Sequence, residues 1–150
     1  MDSYCSKIID IYTDYLNWSK RLLRSLGGTK MFSSILTGGA EYKNREEHEE
    51  FFCDCKKAVE EYYAAIINGD TGREDLMPLL RYALLDCHSE CDERAEWMLL
   101  AAEKHFLPFM ELITREEAEE LYEPYRKLRR SHKGLPPQDE ILKKLKKKKI

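Results

Sequence analysis

Cys87, His88 and Cys91 stand together in the stretch DCHSEC. Two thiols one helical turn apart with an imidazole beside them are the donor types of a zinc site. A further pair drawn from His48, Cys53 or Cys55 on a preceding helix would complete a tetrahedron. Cys53 and Cys55 are two residues apart, which on a helix separates them by about 200°, so at most one turns inward. Helical cysteines at core spacing usually behave as small buried hydrophobes. The expectation is therefore no metal and no cofactor, with Cys55, Cys87, His88 and Cys91 as the ligand candidates should zinc bind. Five cysteines in irregular spacing read as reduced thiols rather than as a disulfide framework. A carboxylate-bridged di-iron bundle is excluded: it needs Glu-x-x-His, and Arg45, Leu85, Ala102 and Arg129 precede the four histidines by three.

Arg81 and His88, six residues between them, resemble in spacing the Arg-then-His pair of the helical HEPN ribonucleases. The resemblance rests on that spacing and on the helical class alone. It implies that Arg81 would hold a phosphate and His88 would move a proton, two copies supplying two of each. The preferred reading of His88 is a hydrogen-bonded core residue, which leaves the ribonuclease as the alternative. No Ser or Cys nucleophile has an assignable base, and the carboxylates of EEHEE, ECDERAE and REEAEE read as solvated helix faces.

Two basic runs, RKLRRSHK over 126–133 and KKLKKKK over 143–149, are candidates for binding nucleic acid or an acidic partner. Their residues are Arg126, Lys127, Arg129 and Arg130, then Lys143, Lys144, Lys146, Lys147, Lys148 and Lys149. Aromatics are not interleaved beyond Tyr125, so phosphate attraction is indicated and base stacking is not. Residues 124–150 hold eleven Lys or Arg against Asp139 and Glu140, a net +9, which leaves −12 on residues 1–123 and −3 overall. Such a body repels nucleic acid, whereas the basic end attracts it or finds the acidic face of another copy. Blocks of like charge are usually solvated, so residues 135–150 are expected to be a mobile tail.

The elements that must position these residues are all helical. Leu84, His88, Cys91, Ala95, Met98, Ala102, His105, Phe109 and Leu112 recur in steps of four and three, the seam of a packed helix. This predicts one long central helix over about 73–112, bent near Ser89; a break at residues 89–92, where Ser89 and Asp92 could start a new helix, is the alternative. A continuous helix of that length, roughly 50–60 Å, outruns a small domain of about 30 Å, so its exposed seam would pair with a second copy. Before it come helices over 2–26 and about 43–67, separated by a short apolar turn at 29–39. The paired glycines there lack the Gly-Lys-Ser/Thr and the preceding strand of a phosphate loop. After it, Thr114 and Glu117 form a capping box for a helix from Arg115 to about Ser131.

No strand-like alternation and no run of the roughly 18–20 apolar residues of a membrane span occurs. The expected fold is all-α, a bundle of four or five helices in one domain over 1–134 with the basic tail over 135–150. The expected location is cytoplasmic. The expected function is a non-enzymatic protein-interaction or regulatory module, with a homodimer and another protein as partners. Its acidic surface would suit a phage or mobile-element inhibitor that mimics nucleic acid. Nucleic-acid binding through the basic tail is a further alternative.

Overall fold

The apolar periodicities form helices in the computed structural model, which describes residues 3–25, 45–90, 95–131 and 139–150; of these, the side chains of 19–25, 45–47, 89–90 and 95–97 are not described. The α-helices are α1 (Ser3–Ser25), α2 (Arg45–Ile67), α3 (Leu76–Leu84), α4 (Ala95–Phe106), α5 (Arg115–Ser131) and α6 (Glu140–Lys149). Short 3-10 turns follow α3 at Asp86–Glu90 and α4 at Leu107–Glu111. The described residues contain no strand and no helix long and apolar enough to cross a membrane. The apolar turn expected at 29–39 lies outside the described residues.

α1 and α2 pack antiparallel on an aromatic seam. Tyr15 stacks on Phe51 with ring centroids 4.1 Å apart, and Tyr12 meets Phe51 edge-on at 5.3 Å. α2 ends because Gly69 adopts φ +78, a left-handed conformation open to glycine. The Gly69 N–H then donates to the Ile66 carbonyl at 3.1 Å and the Asp70 N–H to the Ala65 carbonyl at 2.8 Å, the paired bonds of a Schellman stop.

The long central helix expected over about 73–112 is not continuous: α3 ends at Leu84 and α4 begins at Ala95, as in the alternative of a broken seam. A continuous helix would hold any residue of α3 at least about 16 Å from any residue of α4, yet their Cα atoms come within 8 Å. The chain therefore turns between them, and the seam is spent inside one molecule: Leu84, Met98, Ala102 and Phe109 are fully buried and His88 and His105 nearly so. These described seam positions offer no exposed surface for the pairing on which the homodimer expectation rested.

The basic end corrects a second expectation, that of a mobile tail. Within it, α6 is a docked helix, with Ile141 and Leu145 fully buried against α5 and the turn after α4. Its N-cap is Asp139, whose Oδ1 accepts from the Leu142 N–H at 3.0 Å while Oδ2 accepts from Arg129 at 2.7 Å and from the Tyr125 hydroxyl at 2.6 Å. The i, i+4 pair Ile141 and Leu145 is enough of an apolar stripe to seat a helix otherwise made of lysine.

Candidate functional site

Antiparallel packing of α1 on α2 leaves a groove along their outer side. One cleft of about 780 Å³ is lined from Ser3 to Asp14 on α1 and by Asp54, Lys57 and Ala58 on α2. A second, of about 280 Å³, is lined by Ile11, Asp14, Tyr15, Trp18, Glu50, Phe51 and Asp54. Ile11, Asp14 and Asp54 belong to both, so the two form one groove. Helical spacing builds it: Asp10 and Asp14 on α1, and Glu50 and Asp54 on α2, each sit four residues apart and line one rim, while Ile11, Tyr15 and Phe51 form the floor between them.

The floor is held in place from beneath. The buried Tyr15 hydroxyl and His48 Nδ1 share a hydrogen bond of 2.6 Å, and Trp18 leans edge-on against the His48 ring at 5.3 Å. Electrostatically the groove is uneven. Among the described residues, its smaller end carries three carboxylates and no lining cation. The larger end adds Lys57 and Lys7, the latter tied to Glu61 at 3.1 Å. Aromatic rings beside carboxylates attract a guanidinium or ammonium group.

The sequence-predicted ligands do not gather there. Cys87 donates to the Ala83 carbonyl at 3.5 Å and His88 Nε2 bonds to the same oxygen at 2.9 Å. Both side chains therefore satisfy a carbonyl that the end of α3 leaves without an intrahelical donor. Cys55 lies in the core, donating to the Tyr12 hydroxyl at 3.8 Å, and burial pushes its thiol up to about 12, against forming the thiolate that zinc takes. Tyr12 is pushed up likewise, first by burial and then by Cys55. Cys91 lies outside the described residues, and no group of three or more His, Cys, Asp or Glu among the described residues could hold a metal ion. Arg81 pairs with Glu120 at 2.9 Å on the surface, whereas His88 is 5% exposed, so the pair implied by the ribonuclease resemblance occupies two different environments.

The basic candidates divide. Arg129 is 7% exposed and committed to Asp139, which removes it from any binding face. Arg126 pairs with Glu123 at 3.0 Å, and Lys127 and Arg130 are exposed. On α6, Lys144 pairs with Glu111 at 3.1 Å and holds that carboxyl below its usual range, Lys148 donates to the Met110 carbonyl at 2.8 Å, and Lys149 lies 4.1 Å over the Tyr122 ring. Lys143 pairs with Glu140 at 3.3 Å, and Lys146 and Lys147 are exposed. The groove acids escaped the sequence reading because Asp10, Asp14 and Asp54 look like scattered surface charges. Two i, i+4 acid pairs flanking aromatic core positions were the signal available.

Comparison of the chain with protein-family models, with curated proteins and with solved structures finds no match.

Proposed function

We propose that the protein is a non-enzymatic binding module that takes a basic segment of a partner protein in the groove between α1 and α2. The carrying observation is the continuity of the two clefts through Ile11, Asp14 and Asp54, which joins an aromatic floor to a carboxylate rim. An amphipathic basic helix lays its apolar side on such a floor and its cations on the rim. A row of carboxylates is also what a nucleic-acid-binding partner meets as a stand-in for phosphates, which links the groove to the acidic composition of the body.

The test is calorimetric titration with a short synthetic Lys- and Leu-bearing helical peptide, against a Glu-bearing control. Binding of the basic peptide alone is expected at about 50 mM salt and should fade near 500 mM, where the Debye length is only a few ångströms. Replacing Asp14→Asn and Asp54→Asn together should weaken it roughly 2- to 30-fold, the range for two exposed pairs, without loss of helical signal. Equal affinity in that variant, or no heat at low salt, overturns the proposal.

A further inference from the structure

We infer that the segment seated in the groove is the outer face of α6 from a second copy of this chain, so that copies join head to tail. The inference rests on the groove reading above and names its occupant. α6 has committed Ile141 and Leu145 to its own core, which turns Lys143, Lys146, Lys147 and Ile150 the other way. These positions step by three, one and three, a single stripe roughly 10 Å long. Ile150 is 83% exposed, the most exposed large apolar side chain among the described residues.

The stripe and the groove match in sign, spacing and order of polarity. Lys143 and Lys147 are four residues apart, about 6 Å along the helix, as are Asp10 and Asp14 on one wall and Glu50 and Asp54 on the other. Ile150 continues the stripe with an apolar group of the kind that the Ile11, Tyr15 and Phe51 floor receives. The two surfaces belong to different helical pairs: α1 packs on α2 and α3, whereas α6 packs on α5, α4 and the turn after α4. With the stripe turned outward from its own packing, the acceptor for it is the groove of another molecule. A contact between unlike surfaces of identical chains is heterologous, and it propagates unless rotation closes a ring. Its strength comes from exposed pairs, each a factor of about 1.4 to 5, so the association is weak and is read at high protein concentration and low salt.

Sedimentation equilibrium of the full chain at about 50 and 500 mM salt tests this, the high-salt sample having its surface charges screened. Mass should rise with concentration at low salt and return to the monomer at high salt. The chain carrying Lys143→Gln, Lys146→Gln and Lys147→Gln should be monomeric, as should the chain carrying Asp14→Lys and Asp54→Lys. Mixed, the two should give a one-to-one complex that stops at two chains, because the first keeps its groove and the second keeps its stripe. Circular dichroism checks that both variants are folded. Self-association of either variant at the wild-type level, a mixture that stays monomeric, or a wild type monomeric at low salt overturns the inference. If the groove still takes the synthetic basic peptide in that case, the binding-module reading stands without it; if it does not, both fall. A monomeric wild type that retains duplex DNA through the three lysines would assign the stripe to a polyanion and overturn self-association.

Discussion

His105 shows what a single position in the seam costs and gives. It lies on α4 at 8% exposure, edge-on to Phe52 at 5.9 Å, and burial lowers its pKa, helped by the charges of Lys104 and Lys56 and opposed by Glu60. The folded state thus holds it neutral while the unfolded chain takes up a proton near pH 6.5. Its contribution to stability is present above that pH and is lost as pH falls from 6.5 through the lower folded value. Urea midpoints measured from about pH 7.5 down to 5.5 should decline, and His105→Phe should flatten the decline. An unchanged slope in the variant would assign the effect to other groups. Chemistry-bearing residues were legible here as types but not as roles. Cys87 and His88 were read as possible ligands or catalysts from their spacing, and the structure shows them closing the end of α3 on one carbonyl. Nothing in their identity separates a ligand from a cap, because both use the same donors.

At the scale of elements, the capping box was readable in full: the Glu117 N–H donates to the Thr114 hydroxyl at 3.1 Å and the Thr114 N–H to the Glu117 carboxylate at 2.7 Å. Such a signal is local, so sequence alone carries it. The break after α3 is of the other kind, made by side chains that turn back rather than by Gly or Pro. α5 also contains a conflict between local and global preference. Pro124 sits inside the helix and is exposed, with no N–H to return to the Glu120 carbonyl, yet the buried face of Ala118, Leu121, Tyr122 and Tyr125 keeps the helix continuous. An interior proline costs about 3 kcal/mol in a helix. Pro124→Ala should accordingly stabilise the fold by roughly 1–3 kcal/mol, raising the thermal midpoint by several degrees. A midpoint that stays put or falls would mean that α5 draws on the proline for its path past α6.

Across the whole molecule, the decisive fact is where the basic end sits. Composition identified the charge of α6 but could not place it, since Lys-rich runs are solvated unless an apolar stripe finds a complementary surface, and that surface is assembled from distant parts of the chain. Here it supplies a full burial for Ile141 and Leu145, worth about 1.5–3 kcal/mol each. It also supplies Arg129, buried with Asp139 at 2.7 Å, and removing one member of a buried ion pair costs about 3–5 kcal/mol because the other is stranded. These contributions together are roughly the size of the whole stability of a small domain, about 5–15 kcal/mol. A chain ended after residue 138 should therefore lose far more than the helical signal of α6: its urea transition should shift far down or lose cooperativity. Asp139→Ala in the intact chain should show the combined loss of the ion pair, the N-cap and the Tyr125 hydrogen bond, and adding Arg129→Met to it should recover the ion-pair part by removing the stranded charge. A truncated chain that unfolds at the full-length midpoint would make α6 an accessory to the fold, and a double variant no more stable than Asp139→Ala would place the cost in the lost N-cap and Tyr125 hydrogen bond.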